Sequence, residues 1–361
     1  MALANKVDRF LTLMNDRGAS DLHLSVGRPP MFRLQGDVEP VRFRVLSNQD
    51  FVEFIKPLMN TEDWQRFRAK GDADFSYEVA GVARFRVNLF MQVRGYGAVF
   101  RIIPTRLMSF AQLGLPKQVE RFCYLRRGLI LVTGPTGSGK STTLSSIIDK
   151  MNTEQELHII TIEDPVEFVH PNKKSIISQR EIHTHAISFA SAVQAAVRED
   201  PDVVLVGEMR DLETIRTALN AAESGFTVFG TLHTNNAAKA VDRIINVFPE
   251  DEQEGVRGSL AESLKGVVAQ QLLKRKGGGR VAALEILFAT SGLSSMIRDG
   301  KTAQITSSIQ MGKSIGMQAM DDALWALVQD QIVSPEAAYE KVVDKSAFRD
   351  RLEEAGITIT D

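Results

Sequence analysis

The stretch that decides the fold runs from residue 134 to residue 141 and reads Gly-Pro-Thr-Gly-Ser-Gly-Lys-Ser. Two glycines flank four residues and are followed by Lys-Ser, which is the P-loop pattern. The stretch follows an apolar run, 129–132, and precedes a run, 141–150, that favours a helix. This strand–loop–helix context is the one the motif requires, so the sequence predicts an α/β domain that binds nucleotide phosphates.

Each residue type in this loop has a chemical reason. Glycines let backbone N–H groups approach phosphates without a Cβ clash, and the following helix adds free N–H donors. We expect Lys140 to reach the β- and γ-phosphates and the Ser141 hydroxyl to bind Mg²⁺. ATP and Mg²⁺ are therefore the expected substrate and cofactor. The predicted nucleotide-binding residues are Gly134, Thr136, Gly137, Ser138, Gly139, Lys140, Ser141 and Thr142.

Outside the loop, apolar runs alternate with helical stretches over the second part of the chain. Near-continuous apolar runs are typical of parallel strands that are covered on both faces, and intervening helices indicate βαβ units. The runs are 128–133, 158–162, 203–206 and 227–232. We therefore predict a P-loop domain over residues 117–361 that ends in helices from about residue 290.

The first part of the chain has a different pattern. Val7, Phe10, Leu11 and Met14 favour a short amphipathic helix. Alternation predicts a strand over 41–45, and residues 47–70 read as helical. Further strands are predicted over 22–24, 31–34, 75–79, 83–92 and 97–103. Residues 1–103 are thus expected to form a small α+β domain, with residues 104–116 as a linker.

Two glutamates follow apolar strands in the predicted nucleotide domain. Glu163 comes directly after 159–162, and Glu208 comes two residues after 203–206. Catalytic groups gather at the carboxyl ends of parallel strands, and a nucleotide site needs a carboxylate for Mg²⁺ and a group that activates water. We favour Glu163 as the base and Glu208 as the Mg²⁺ carboxylate, with the reverse assignment still open.

Other polar residues have weaker signals. His233 follows the run 227–232, so we expect it at the same edge of the sheet, contacting the γ-phosphate. Arginines interleave with apolar residues on predicted strands of the first domain. One or two of them could act as arginine fingers, or all could form an exposed, ion-paired strand face. The candidates are Arg84, Arg86, Arg94 and Arg101.

Composition excludes several classes of protein. The 361 residues are 43% hydrophobic and 24% charged, with a net charge of −2 and one cysteine. A disulfide framework is excluded, and no apolar run reaches the ~20 residues that a membrane span needs. A nucleic-acid translocase, the candidate from another class, would need a basic, aromatic channel; aromatic residues make up only 7% of the chain. A nucleotide-sensing scaffold would lack a catalytic carboxylate, yet both glutamates are present.

Together the motifs resemble a known family. Residues 134–141, 162–167, 198–211 and 230–235 are similar, in order, to the Walker A, Asp box, Walker B and His box of secretion ATPases. Residues 20–24 and 316–318 also match. The similarity is greatest to the PilT-type retraction ATPases of type IV pili.

The resemblance implies more than the residues alone do. It implies a PAS-like N-terminal domain, a RecA-like ATPase domain with a helical tail, and ATP held between the two domains. It also implies a homohexamer that drives pilus retraction by acting on an inner-membrane platform protein. The expected location is the cytoplasm, peripheral to the inner membrane, with no nucleic acid bound and no direct membrane insertion.

One position departs from the family pattern. PilT-type proteins carry Ala-Ile-Arg-Asn-Leu in the C-terminal helices, whereas residues 292–296 read Gly-Leu-Ser-Ser-Met, so that Ser294 replaces the arginine. The ATPase chemistry does not depend on this position. An accessory retraction ATPase, which works beside a paralogue, or a secretion ATPase therefore remains an alternative to a sole retraction motor.

Overall fold

The computed structural model describes residues 5–34, 36–103 and 107–359. The chain divides into two compact units, Met1–Arg106 and Leu107–Asp361. Within the predicted linker, residues 104–106 lie outside the described ranges, and Phe110–Leu113 forms a short helix, α4. The predicted fold class, an α+β domain followed by an α/β P-loop domain with a helical tail, is confirmed.

The first unit is built on an antiparallel sheet. Among its described residues the sheet has six strands in the order β3-β2-β1-β6-β5-β4. The strands are β1 Asp21–Ser25, β2 Met31–Leu34, β3 Asp37–Pro40, β4 Asp72–Val79, β5 Ala83–Gln92 and β6 Gly95–Ile103. The helices are α1 Asp8–Asp16, α2 Asn48–Ile55 and α3 Thr61–Lys70.

Local chemistry explains where these helices begin and end. Ser47 and Asp50 form a reciprocal capping box at the start of α2, and Asn60 caps α3 through the Asp63 N–H. Gly71 ends α3 with a φ of 90°, a left-handed conformation that favours glycine. One sheet face packs on the helices around fully buried phenylalanines, which are Phe32, Phe51, Phe67, Phe85 and Phe100.

The predicted strand over 41–45 is wrong. The strand in this region is β3, which pairs with β2 through a hairpin turn that includes Gly36. One further hydrogen bond runs from the Val41 N–H to the Pro30 carbonyl oxygen at 2.8 Å, but Pro30 has no N–H to return, so the ladder goes no further. The alternating pattern instead reflects Phe43, whose ring packs on an α1 ring, Phe10, at a centroid distance of 5.1 Å.

The second unit is built on a mostly parallel sheet. Among its described residues the sheet has seven strands in the order β13-β12-β7-β11-β10-β8-β9. All neighbouring pairs are parallel except β12 with β13. The strands are β7 Gly128–Thr133, β8 His158–Glu163, β9 Ile176–Glu181, β10 Val203–Val206, β11 Thr227–Leu232, β12 Leu264–Lys274 and β13 Arg280–Phe288.

Helices connect these strands and continue beyond them. The connecting helices are α5 Lys140–Glu154, α6 Phe189–Ala196, α7 Leu212–Glu223, α8 Ala237–Asn246 and α9 Gln253–Ser263. The C-terminal helices are α10 Ser291–Arg298, α11 Ile305–Met311, α12 Met320–Gln329, α13 Pro335–Tyr339 and α14 Lys345–Glu354. Helices α12 to α14 enclose a separate apolar cluster, which Leu273 of β12 and Ala283 of β13 join to the sheet. In the described part of the chain, no helix combines the length and hydrophobicity needed to cross a membrane.

The sheet register places the predicted catalytic edge. Thr133 at the end of β7 pairs with Leu232 at the end of β11, and Val206 of β10 pairs with Ile162 of β8. The residues that follow these four strands therefore emerge at the same edge of the sheet. Strands β9, β12 and β13 were not among the predicted runs, and each carries a side chain that contacts the predicted catalytic edge or the segments leading from it: Gln179, Gln270 and Glu285.

Candidate nucleotide-hydrolysis site

The P-loop lies between β7 and α5. Gly134, Gly137 and Gly139 have φ values of 148°, 78° and 87°, which L side chains rarely adopt. A Cβ on Gly134 would also overlap the carbonyl oxygen of Gln270, and one on Gly139 would lie 2.8 Å from the Gln270 Nε2. The glycines are thus required both by the turn and by the strand beneath it.

Lys140 begins α5 and folds back over the loop. Its Nζ donates to the carbonyl oxygens of Gly134 at 2.7 Å and Pro135 at 3.1 Å. Burial lowers the pKa of Lys140, and the facing carboxylates of Glu208 and Glu167 oppose that shift. The amine is therefore a cation held at the loop mouth, opposite the acids of the neighbouring strands.

Gln270 of β12 braces the loop from below. Its buried side chain donates through Nε2 to the Ser138 carbonyl oxygen at 2.6 Å and accepts from the Thr143 hydroxyl at 2.7 Å. The P-loop and the first turn of α5 are thereby fixed to a strand more than a hundred residues away in sequence. The sequence reasoning missed Gln270, although a polar residue within the apolar run 267–273 is a signal of a buried, functional amide.

The remaining P-loop residues suit a phosphate ligand. Ser138 Oγ is buried and has no hydrogen-bond partner among the described residues. The same holds for Oγ1 of Thr133, which ends β7, and Oγ1 of Thr234, which follows the end of β11 by two residues. Thr136 and Gly137 are exposed, and Ser141 and Thr142 are partly exposed in the first turn of α5. Buried hydroxyls without partners are costly, so these donors fit an anionic group bound at the loop.

Glu163 ends β8 in a shell of neutral donors. Its Oε1 accepts from the Thr161 hydroxyl at 2.7 Å and from Gln179 Nε2 of β9 at 3.3 Å, and its Oε2 faces the Glu167 backbone N–H at 3.4 Å. Burial raises the pKa of Glu163, and these hydrogen bonds only partly counter the shift. A carboxylate with a raised pKa is suited to accept a proton.

Glu208 follows β10 in a shell of cationic donors. Its Oε1 lies 2.7 Å from His233 Nε2 and is also contacted by Arg210 Nε. Burial acts to raise the pKa of Glu208, but the hydrogen bonds and charges of Arg210 and His233 outweigh it, so that the pKa is lowered. The structure thus brings His233 to Glu208, as the sheet edge predicts. Arg210, which lies within the Walker B stretch, was not singled out from the sequence.

The donor set fits Mg²⁺ in the way that nucleotide sites usually hold it. Mg²⁺ is commonly bound by one or two protein oxygens together with substrate phosphates and water. Among the described residues no group of three or more His, Cys, Asp or Glu side chains is arranged to hold a metal. Ser141 and the ionised Glu208, both at the P-loop edge, provide a hydroxyl and a carboxylate of the expected kind.

The four candidate arginines of the first unit fall into two groups. Arg84 and Arg86 on β5 and Arg101 on β6 alternate with core residues and lie on the same sheet face, with Arg86 paired opposite Arg101. Arg101 Nε lies 2.7 Å from Asp21 Oδ1, and Arg86 Nε lies 3.7 Å from Asp74 Oδ1. Arg94 lies in the β5–β6 turn, beyond the end of β5 at Gln92, which is roughly 20 Å of extended strand from Arg86. Arg94 is therefore separated from the group of three along the sheet.

Ser294 lies in α10. Its hydroxyl donates to the Ala261 carbonyl oxygen of α9 at 2.7 Å, between the buried Leu293 and Ile297. The serine that replaces the family arginine is thus used for packing between two helices.

Known proteins match most of the chain. Residues 2–285 match the family described as type II/IV secretion system protein. The type IV pilus retraction ATPase PilT of Pseudomonas aeruginosa is 50% identical over 335 residues, which cover 93% of this chain and 97% of the relative. A twitching motility protein of Neisseria gonorrhoeae is 50% identical over 320 residues, which cover 88% of this chain and 86% of that protein.

A solved structure agrees with the fold. The crystal structure of the pilus retraction motor PilT with bound ADP superposes with a TM-score of 0.88 at 44% identity, covering 94% of this chain and 98% of that one. The P-loop and the two glutamates that follow β8 and β10 lie at one edge of the sheet, as these comparisons lead one to expect. The chain therefore belongs to the type II/IV secretion system protein family, as a PilT-type ATPase.

Proposed function

We propose that this chain is an ATP-hydrolysing motor that drives retraction of type IV pili. The observation that carries the proposal is the arrangement at one sheet edge, where the end of β7, which leads into the P-loop and Lys140, lies beside the end of β11, and β11 in turn lies beside β10, which leads to Glu208. This is the arrangement of charges that ATP with Mg²⁺ requires. The retraction role is supported by the names of the relatives, each similar over most of its length.

The P-loop residues would bind the nucleotide. The backbone of 134–139 wraps the phosphates, Lys140 neutralises the β- and γ-phosphates, and the hydroxyls of Ser141 and Thr142 lie at the helix start. Ser141 and Glu208 would hold Mg²⁺, which supplies charge neutralisation at the phosphates. We place ATP and Mg²⁺ here because of the loop geometry and the unpartnered Ser138 hydroxyl.

Glu163 and His233 would act on the reacting end of the nucleotide. Glu163, whose pKa is raised, orients and deprotonates the attacking water. His233, held by Glu208, contacts the γ-phosphate. Their surroundings favour this assignment of the two glutamates: a hydroxyl and an amide around the proposed base, and Arg210 with His233 around the carboxylate proposed to stay ionised.

The assembly is the remaining part of the proposal. We infer a homohexamer that works at the inner face of the inner membrane by contacting a platform protein, with residues 1–103 and 117–361 as its domains. An arginine that approaches the phosphates would come either from the sheet-face group Arg84, Arg86 and Arg101 or from Arg94 in the β5–β6 turn. Single alanine variants of the four, assayed for ATPase activity, separate the two groups.

Lys140→Ala is the direct test of the enzyme. We expect ATPase activity to fall to background and binding of a fluorescent ATP analogue to be lost, because the phosphate cation is removed. Lys150→Ala, which removes a partly buried lysine that pairs with Glu154 in the last part of the same helix, is the matched control and should keep both. Unchanged turnover in Lys140→Ala would refute the proposal.

A second candidate role rests on Ser294. An accessory ATPase that needs a paralogue would hydrolyse ATP but would not retract pili alone. Deletion of the gene separates the two roles: abundant pili with no twitching support a sole motor, whereas normal twitching that is lost only in a double deletion supports an accessory one. Restoring arginine by Ser294→Arg in the accessory case should increase retraction without a paralogue.

A further inference from the structure

A buried carboxylate on β13 connects two helices. Glu285 is 5% exposed, and its Oε1 accepts a 2.7 Å hydrogen bond from the backbone N–H of Ala237, the first residue of α8. The backbone N–H of Met320, the first residue of α12, faces the same carboxylate and acts to lower its pKa. One side chain therefore caps α8 and also lies at the N-terminus of α12.

The first helix leads directly from the catalytic edge. Helix α8 begins four residues after His233, and Asn236 caps it through the Lys239 N–H. The loop 233–236 is thus held at one end by His233 on Glu208 and at the other end by Ala237 on Glu285. A displacement of His233 toward or away from a phosphate must be taken up across this short loop.

The second helix enters the C-terminal cluster. The N-cap of α12, Ala319, has no side-chain acceptor, and the Glu285 carboxylate is the anion that faces the start of this helix. Both helix dipoles favour an anion here, although burial acts to raise the pKa of Glu285. An amide at this position would remove that anion from both helix starts.

The β13 residues beside Glu285 fix the entry to α12. Gln318 pairs with Ile286 through both backbone hydrogen bonds, at 2.8 and 3.0 Å, and its Nε2 donates to the Leu284 carbonyl oxygen at 2.8 Å. The stretch 316–318, which matched the family but had no assigned role, is therefore the segment that attaches α12 to this strand. Movement of β13 and movement of α12 are coupled by these contacts.

We propose that Glu285 is a positioning residue that holds the His233 loop in register with helices α12 to α14, so that the nucleotide state at the P-loop edge reaches the C-terminal helices. The inference rests on the proposed ATPase function and adds to it a route of coupling. The route runs from His233 through α8 and Glu285 to α12. A purely structural cap would stabilise the fold but would not change turnover in the folded protein.

The chain offers a reporter for this route. Of its two tryptophans, Trp325 lies on α12, where its ring meets Phe348 of α14 edge-on at 5.7 Å, and Trp64 lies in the first unit. A Trp64→Phe background leaves Trp325 as the only indole. Emission is recorded before and after addition of AMP-PNP with Mg²⁺, and the binding of a fluorescent ATP analogue is measured separately.

The test variant is Glu285→Gln, and Asp344→Asn is the matched control. Asp344 caps only α14, through the Ala347 N–H at 3.0 Å, so it undergoes the same carboxyl-to-amide change within the destination helices but beyond α12, where the route from His233 ends. In Glu285→Gln we expect kcat to fall about tenfold, as for the loss of one charge-assisted hydrogen bond, with the KM for ATP unchanged. The response of Trp325 to AMP-PNP should be lost, whereas Asp344→Asn keeps both kcat and the response.

The kcat and the Trp325 response of Glu285→Gln together test the coupling role of Glu285. If Glu285→Gln keeps the parental kcat and the parental Trp325 response, the proposal is overturned, even where its melting temperature falls. If Glu285→Gln does not fold, Glu285→Asp is used, because it keeps the charge but is too short to reach both helices, and the same two readouts apply. An inactive parent protein would instead contradict the ATPase function itself.

Discussion

Two glutamates that follow neighbouring strands of the same sheet have different hydrogen-bond partners. Glu163, after β8, is held by a hydroxyl and an amide, and burial raises its pKa. Glu208, after β10, is held by Arg210 and His233, which lower its pKa against the effect of burial. The comparison teaches that a pair of identical side chains is given different chemistry by the donors that each strand end supplies.

The largest expected effect is on the base. Glu163→Gln removes the proton acceptor, so kcat should fall by about 10²- to 10⁴-fold. The Kd of the ATP analogue should stay near the parental value, because the P-loop is untouched. Single-turnover hydrolysis and equilibrium binding check the two quantities. Loss of binding together with hydrolysis would mean that Glu163 holds the nucleotide and is not the base.

A smaller and different effect is expected at Glu208. Glu208→Gln keeps the size and one acceptor but removes the charge, so we expect kcat to fall by about 10- to 100-fold. The Mg²⁺ concentration for half-maximal activity should rise, which it should not do in Glu163→Gln. Mg²⁺ titrations of the two variants side by side check this. If only Glu163→Gln shifts the Mg²⁺ dependence, the two roles are reversed.

A hydrogen-bond donor of Glu163 allows its pKa to be adjusted. The Thr161 hydroxyl favours the ionised carboxylate, so Thr161→Val should raise the pKa of Glu163 further. The acid limb of the kcat–pH profile should then move to higher pH, with about a three- to tenfold loss on that limb and an unchanged plateau. Thr217→Val, which alters a hydroxyl bonded only to the Glu213 carbonyl oxygen, is the control. An unmoved acid limb in Thr161→Val would exclude Glu163 as the group that titrates.

The nucleotide edge was predictable because its chemistry is local. Residues 134–141 carry the loop, and an apolar strand before each of Glu163, Glu208 and His233 places all three at one edge once the strands are parallel. The fold class followed from the same runs. The strand over 41–45 failed because Pro30, not the alternation, sets where the ladder ends.

The residues that support this edge were not predictable in the same way. Gln270 and Glu285 lie on β12 and β13, whose partners are chosen by tertiary packing, and each acts on a segment far away in sequence. The division of the arginines into a sheet-face group and the separate Arg94 likewise depends on the β5–β6 register. Spacing along the chain indicates which residue types are present, but long-range pairing decides which of them meet.

The smallest expected effect is on the free energy of unfolding, and it has opposite signs for substitutions at the two glutamates. A carboxyl whose pKa is raised on folding contributes stability that is present at low pH and is lost as pH rises through the folded pKa; one whose pKa is lowered contributes stability that is lost as pH falls. At pH 8, Glu163→Gln should therefore be more stable than the parent, and Glu208→Gln less stable, each by about 1 kcal/mol. The difference at Glu163 should shrink as the pH falls through the raised folded pKa, above the ordinary value of glutamate, whereas the difference at Glu208 should persist until the pH falls below that ordinary value.

Thermal unfolding without nucleotide, at one protein concentration and at several pH values from 8 downward, measures these differences. Differences of the same sign at pH 8 would show that burial, and not the donor set, dominates at both strand ends. Arg210→Ala then distinguishes the contributions at Glu208: without its strongest cationic partner, that carboxylate should approach the behaviour of Glu163, and Glu208→Gln in this background should no longer destabilise the protein.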